Sequence, residues 1–225
     1  MRARGAPRAD DPRVVRTRAA VIAAARKLFL EKGYAGTTME EIAAVAGLAK
    51  RTLYNNYADK EALFTEIVAA MHAYAEEFAR GLAADFEAAV ASGEVATALH
   101  DLGRRLALAI LRPEVIALRR LLIGEARTFP ELAIDYYDRA PGRVIAALGD
   151  GFDRLSRAGL LGVTDPRSAG EQFAYLVVGA PLDRALLVGR PPSKRRVLAG
   201  AHDGVETFLA RYVVAARARK RVAKA

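Results

Sequence analysis

The chain has 225 residues, of which 52% are hydrophobic, enough to build one large or two small domains around a hydrophobic core. It contains no cysteine, no run of about 18 apolar residues and no visible secretory signal, which excludes disulfide and thiol chemistry and predicts a cytoplasmic protein without a membrane partner. The formal net charge of +9 and pI of about 10.0 favour either an acidic partner such as nucleic acid or an ordinary basic protein.

The positive charge is concentrated at the two ends of the chain. Residues 1–18 hold six arginines and two aspartates, and residues 211–225 hold six basic residues and no acidic one. The stretch between them is close to neutral. Glycine and proline favour a flexible basic arm over residues 1–13, and residues 219–225 are expected to form a solvated basic tail.

The chain is predicted to be all-α. Ala, Leu, Arg and Glu dominate its composition, and alternating runs of β-branched residues are missing. A first helix over about 14–32 ends at Gly33. Its apolar side chains recur at helical spacing and form one face: Val15, Ala19, Ile22, Ala25, Leu28 and Phe29.

The next stretch, residues 37–60, reads TTMEEIAAVAGLAKRTLYNNYADK and divides into two short helices around Gly47. Thr38 and Glu41 form a capping box that starts the first helix, and Gly47 tolerates the positive φ of a sharp turn. The second helix, about 49–57, buries Leu53 and Tyr57. It exposes a polar face: Lys50, Arg51, Thr52, Tyr54, Asn55 and Asn56. These side chain types reach phosphates and base edges, so residues 38–57 are predicted to be a helix-turn-helix with its second helix in the major groove of DNA.

A fourth helix is capped by Asp59 and continues to about Arg80. Turn residues beyond it separate further helices, predicted at about 94–111, 113–127, 130–139, 141–157, 167–188 and 193–218. The predicted domains are a DNA-binding head over 14–75 and a regulatory and dimerisation body over 76–218.

The sequence of the head resembles the TetR family of bacterial transcriptional regulators. The resemblance covers roughly residues 15–75 without a gap over some fifty positions. It is carried by Ala24, Leu28, Phe29, Gly33, Tyr34, Thr37, Thr38, Ile42, Ala43, Ala46, Gly47, Thr52, Leu53, Tyr54, Tyr57, Asp59, Lys60, Glu61 and Leu63. Further along, residues 119–132 resemble the C-terminal domain of the AefR-like subgroup, whose members often control efflux pumps.

This resemblance implies an Ω-shaped homodimer with a three-helix DNA-binding head and an all-helical ligand-binding and dimerisation body. Thr38 and Lys60 would hold phosphates of a DNA operator. Base edges would face Lys50, Arg51 and Thr52, with Asn55 beside them on the exposed face, and Tyr54 would pack against the DNA backbone. The chain departs from the family at Asn56, where Tyr or His is usual, and at Tyr57, where Phe is common. Asn56 can still donate to a phosphate, but its side chain is shorter.

The body is expected to enclose a largely apolar cavity for a small-molecule effector of unknown identity. The predicted ligand-binding residues are Phe78, His100, Arg104, Leu122, Glu125, Phe129, Tyr137 and Phe173. A plain core role for the apolar residues, and surface ion pairs for the charged ones, explain the pattern equally well.

Two late helices are the best candidates for a homodimer interface, because each carries an apolar stripe. The predicted interface residues are Phe173, Leu176, Val177, Ala180, Val205, Phe208, Leu209 and Tyr212. A core role within one subunit is the competing interpretation.

The predicted function is a ligand-responsive transcriptional regulator, most simply a repressor, that binds a pseudo-palindromic operator as a homodimer. The alternatives are an activator, and a ligand-independent DNA-binding or architectural protein. An enzyme is disfavoured because no catalytic triad or phosphate-binding glycine loop is visible. His72, His100 and His202 lie on separate predicted helices, so neither a metal site nor a cofactor is expected.

Overall fold

All the regular elements of the computed structural model, which describes residues 12–214, are helices, so the predicted all-α class is confirmed. The predicted arm and tail, with Arg2, Arg4, Arg8, Lys220 and Lys224, lie almost wholly outside the described residues. The first four helices are α1 (Pro12–Lys32), α2 (Met39–Val45), α3 (Lys50–Asn56) and α4 (Lys60–Ser92). The others are α5 (Val95–Ile110), α6 (Pro113–Glu125), α7 (Pro130–Tyr137), α8 (Arg143–Arg157), α9 (Pro166–Val188) and α10 (Lys194–Tyr212).

Helix α4 runs through the predicted domain boundary at residue 75 and ends well beyond the predicted Arg80. Gly81 does not break it, because that position is exposed and the apolar spacing continues through buried Leu82 and Phe86. The helix ends at Gly93, which has a left-handed φ of 72°. One helix of 33 residues therefore joins the head to the body.

The predicted break at Pro141 is instead a π-helical turn, Asp138–Gly142, that links α7 to α8. A π turn pairs each N–H with a carbonyl five residues back, and such turns accommodate local disturbances of the helical ladder. Pro141, which has no N–H, therefore lies inside a helical path and does not open a new one.

Two hydrophobic clusters hold the helices together. In the body, the Phe152 ring lies 5.4 Å from Phe86, 5.3 Å from Phe173 and 4.7 Å from Phe208, measured between ring centroids. The head cluster is built from α1 to α4. It also includes four residues of α6, α7 and the π-helical turn: Leu118, Leu122, Tyr136 and Ala140. The head core is thus completed by the body.

Burial within one subunit corrects most of the predicted dimer contacts. Phe173, Val177, Val205 and Phe208 are at most 1% exposed, so their side chains have no surface to offer a partner. Leu209 and Tyr212 are also buried. The apolar stripes on α9 and α10 face each other and α5 and α8, because both helices pack in the body core. Leu176 and Ala180 are the exposed members of the predicted set.

No helix within residues 12–214 is both long and apolar enough to cross a lipid bilayer.

Candidate nucleic-acid interface and internal cavity

The helix-turn-helix has the predicted capping box at its start. The Thr38 hydroxyl accepts a hydrogen bond from the Glu41 N–H at 3.2 Å, and the Glu41 carboxylate accepts one from the Thr38 N–H at 2.9 Å. Gly47 has a φ of +68°, which turns the chain between α2 and α3. Thr38 is exposed at the N-terminus of α2, where free backbone N–H groups favour a phosphate.

Helix α3 presents the polar face that the sequence predicts. Leu53 is fully buried and Tyr57 is 5% exposed, so both belong to the head core. The opposite side is exposed at Lys50, Arg51, Tyr54, Asn55 and Asn56, and partly exposed at Thr52. A seven-residue helix with one anchored side and one polar side is suited to lie in a groove of DNA.

Lys50 is paired within the head. Its ammonium group forms an ion pair with Glu40, and it lies 5.7 Å from the centre of the Tyr54 ring. Hydrogen bonding to Glu40 raises the pKa of Lys50 and lowers the pKa of Glu40. Glu40 therefore competes with DNA for the Lys50 ammonium, which keeps two of its three donors for another acceptor.

Two residues predicted to contact phosphates, Asn56 and Lys60, already donate hydrogen bonds to backbone carbonyls of the head. The Asn56 amide donates to the Thr52 carbonyl at 2.7 Å, which fixes it along α3. The Lys60 ammonium donates to the carbonyls of Tyr34 at 2.7 Å and Thr37 at 2.8 Å, and it lies 4.3 Å from the Tyr34 ring centre. Lys60 therefore holds the turn that places Thr38, with one of its three donors left for another acceptor.

The body contains an apolar cavity of about 100 Å³ between α4, α5, α6, α8 and α9. Its walls are almost wholly apolar or aromatic, including Met71, Tyr74, Phe78, Val115, Val144 and Val178. A neighbouring cleft of about 430 Å³ shares the lining residues Arg119, Tyr136, Pro141, Tyr175 and Leu182 with it. The inner cavity alone is smaller than the few hundred Å³ of common ligand sites, whereas the adjoining cleft is within that range.

One cationic side chain stands in the shared wall. The Arg119 guanidinium donates from Nε to the Tyr136 hydroxyl at 2.8 Å, which leaves its other N–H groups for an acceptor on a ligand. Arg119 and Tyr175 are not among the ligand-binding residues that the sequence predicts. Val115, Arg119 and Leu122 are spaced i, i+4 and i+7, so they lie on one side of α6. This helical spacing is the sequence signal that could have identified them as lining residues.

The predicted ligand residues are divided between the cavity and other places. Phe78 lines the inner cavity, and Leu122 and Tyr137 line the cleft. Phe129 packs on the head instead, with its ring 4.9 Å from Tyr34 and 5.5 Å from Phe64.

The remaining members of the set lie away from both spaces. Phe173 is in the body core, and Glu125 is not among the residues that line either space. On the surface, His100 is hydrogen-bonded to Glu206, and Arg104 forms an ion pair with Asp101, as the alternative interpretation proposed for charged residues.

The three histidines lie on separate helices, as predicted, but two of these helices bring their histidines together. The rings of His100 and His202 stack with centroids 4.6 Å apart, although 102 positions separate them in the sequence. Sequence spacing does not reveal this pair, because the packing of α5 on α10 creates it. His72 is buried separately, between α4 and α7.

The fold and the exposed α3 face define a helix-turn-helix DNA-binding protein with a helical body. The sequence profile described as bacterial regulatory proteins, tetR family, matches residues 21–67. The profile described as AefR-like transcriptional repressor, C-terminal domain, matches residues 97–214. The chain belongs to the TetR family of bacterial transcriptional regulators.

Solved structures of family members are similar along almost the whole chain. A TetR-family regulator from Mesorhizobium loti is 32% identical, covers 91% of this chain and 100% of its own, and has a TM-score of 0.77. The flavonoid-responsive regulator FrrA is 28% identical over 90% of this chain and 100% of its own, with a TM-score of 0.67. A TetR regulator from Agrobacterium tumefaciens is 25% identical over 91% of this chain and 96% of its own, with a TM-score of 0.59. No curated protein matches the chain.

Proposed function

We propose that this protein is a repressor that binds a pseudo-palindromic operator as a homodimer and is released by a small, largely apolar molecule. The observation that carries the proposal is the exposed face of α3, anchored by Leu53 and held in place by the capped start of α2. In this arrangement Lys50, Arg51 and Thr52 face base edges, while Thr38 and the free donor of Lys60 meet phosphates.

The proposed homodimer uses the outer sides of α9 and α10. Tyr175 and Leu176 are 56% and 40% exposed, and they line a surface groove with Gln172, Thr207 and Arg211. The occupant we propose for this groove is a second copy of the chain, because exposed apolar helix faces are the surfaces that two-fold four-helix interfaces cover. Such a dimer would place two α3 helices for successive major grooves.

The proposed effector occupies the inner cavity and its adjoining cleft. Tyr74, Phe78, Tyr136 and Tyr175 supply aromatic walls, and Arg119 supplies a donor that orients an acceptor group. An apolar aromatic molecule with a hydroxyl or carbonyl group fits this lining. The relative FrrA is described as flavonoid-responsive, so flavonoids are the first compounds to test.

The route by which an effector would act on the head passes through Phe129. This residue lies between α6 and α7, which line the cleft, and its ring packs on Tyr34. Tyr34 is in turn held by Lys60 beside the start of α2. A shift of α6 and α7 would thus move the turn that positions Thr38. By linkage, effector and operator would weaken each other's binding by the same factor.

Footprinting on the DNA upstream of the protein's own gene tests the proposal, followed by titration with flavonoids. We expect a protected, two-fold symmetric site with half-sites about one helical turn apart, and its loss when a flavonoid is added. Arg51→Ala should weaken this binding by at least tenfold, whereas Arg157→Ala, an exposed arginine on α8, should leave it unchanged. Binding that is indifferent to sequence and to every compound would favour the ligand-independent, architectural alternative.

A further inference from the structure

A cluster of two histidines and one glutamate lies on the surface where α5 meets α10. His202 and Glu206 are one turn apart on α10, and His100 faces them from α5. The His100 Nε2 atom is 2.7 Å from a Glu206 carboxylate oxygen. One nitrogen or oxygen ligand atom from each of the three side chains lies within 4.8 Å of the others.

The backbone beneath this cluster is held firmly. Gly103, one turn beyond His100, faces Val205, and a Cβ at that glycine would lie 2.5 Å from a Val205 methyl group. The close approach of α5 and α10 therefore depends on this glycine. Because Leu99 and Ala201 are also buried here, the two helices form a fixed base that carries the three polar side chains.

The donor set is one that binds transition metals. Imidazole nitrogen and carboxylate oxygen are common ligands of Zn²⁺, and two histidines with one glutamate occur as a three-ligand zinc set whose fourth position is open. Two donors on one tetrahedral zinc ion lie roughly 3.3 Å apart, given bonds of about 2.0–2.1 Å. The ligand atoms are thus up to about an ångström or more beyond this separation, a shift at the tips of His202 and Glu206, whose side chains are exposed.

We propose that His100, His202 and Glu206 form a surface site for one divalent transition-metal ion, with Zn²⁺ as its representative. Water fills the positions that the protein leaves open, because His202 and Glu206 are exposed. The bound ion links α5 to α10 and stabilises the body. This site is separate from the cavity and the α3 face, so it does not depend on the proposed function.

Calorimetric titration of the untagged full chain with zinc chloride tests the proposal, together with thermal unfolding in the presence and absence of the ion. We expect saturable binding of one Zn²⁺ per chain and a rise of the unfolding temperature with zinc concentration. His202→Ala and Glu206→Gln should each weaken binding roughly tenfold or more. Asp203→Asn, the exposed neighbour on α10, removes the same charge as Glu206→Gln and should bind like the original chain.

Two results would overturn the proposal. One is a titration without saturable binding, which would leave His100 and Glu206 as a hydrogen-bonded pair. The other is zinc binding that persists unchanged in His202→Ala, which would place the ion elsewhere on the chain. Both substituted side chains are exposed, so circular dichroism that matches the original chain is expected and ensures that lost binding reports on the site.

Discussion

At the scale of single residues, Glu40 reduces the availability of Lys50 on the exposed face of α3, because the two side chains form an ion pair. Its carboxylate holds Lys50 and places a negative charge beside the predicted groove surface. Both side chains are exposed, so the pair contributes little to the stability of the fold. Its main effect is on the availability of Lys50 to a phosphate or a base.

Glu40→Gln is expected to tighten operator binding roughly two- to fivefold, because no carboxylate then competes with DNA for Lys50 and one repulsive charge is removed. Fluorescence anisotropy with a labelled operator measures the change. Glu31→Gln, an exposed acid on α1, alters the net charge equally without touching Lys50. An equal gain from both variants would attribute the effect to net charge alone.

His72 makes the fold sensitive to acid. It is 7% exposed, and neither ring nitrogen has a hydrogen-bond partner within the described residues, with Asp135 at 3.7 Å. Burial lowers the pKa of His72 below its usual 6.5, and Asp135 opposes this only in part. The unfolded chain therefore takes up the proton more readily, so this residue contributes a loss of stability as the pH falls below about 6.5.

His72→Leu is expected to reduce the loss of folding free energy between pH 7.5 and pH 5.5, since it removes the group that must stay neutral. Urea unfolding at the two pH values measures the loss for each variant. Val90→Leu is the control, because it changes an exposed apolar residue on the same helix, α4, and removes no ionisable group. An undiminished loss in His72→Leu would assign the acid sensitivity to other groups.

At the scale of the helices, glycines set how closely α8 and α9 approach. A Cβ at Gly170 would lie 2.5 Å from the Ile145 carbonyl oxygen, and one at Gly149 would lie 2.8 Å from the Pro166 carbonyl oxygen. These are backbone atoms, which cannot rotate away as a side chain does. The two helices therefore pack backbone against backbone at this crossing.

Gly170→Ala is expected to destabilise the protein by about 1–3 kcal/mol, because α8 and α9 must separate to admit the methyl group. Gly81→Ala is the matched control, since that helical glycine faces open space and alanine there should stabilise α4 by up to about 1 kcal/mol. Chemical unfolding of the two variants distinguishes them. An equal change in the free energy of unfolding for the two variants would mean that α8 and α9 can move apart at little cost.

The sequence predicts best those elements whose conformation is determined by residues close together in the chain. The capping box of Thr38 and Glu41 and the turn at Gly47 are visible within a few residues, so the helix-turn-helix was found with its exposed face. The stripes on α9 and α10 were equally visible, but an apolar stripe does not reveal whether its partner is the same chain or another. For that reason Phe173 and Val205 were assigned to an interface although they are core residues. The cavity and the His100–His202 pair arise from contacts between distant segments and leave no local pattern.

At the scale of the whole molecule, the proposed dimer depends on the exposed residues of α9. Leu176→Glu combined with Ala180→Glu is expected to give monomers and to abolish tight operator binding, because two charges per chain would be buried at the two-fold axis. Light scattering measures the mass. Val90→Glu with Ile134→Glu adds the same two charges at exposed apolar positions of α4 and α7 and should remain dimeric. A dimer that persists in the glutamate variant would place the interface on another face.

Signal transfer between body and head is predicted to depend on Phe129. Phe129→Ala removes the ring that packs on Tyr34 and Phe64, so effector binding should persist while its effect on operator affinity falls at least severalfold. Operator affinity with and without a saturating effector gives the coupling factor. Phe129→Leu keeps an apolar contact and should retain more of the coupling. Full coupling in Phe129→Ala would require another route, such as the continuous helix α4.

The head core that the body completes has a consequence for chimeras. Leu118, Leu122 and Tyr136 cover apolar surface of α1 to α4. A fusion made after residue 75 would therefore pack the head against body residues of another protein. We expect such hybrids to be less stable than either parent protein, because their head and body side chains do not pack together closely. A new DNA-sequence preference is therefore better engineered by replacing the exposed residues of α3 than by exchanging whole heads.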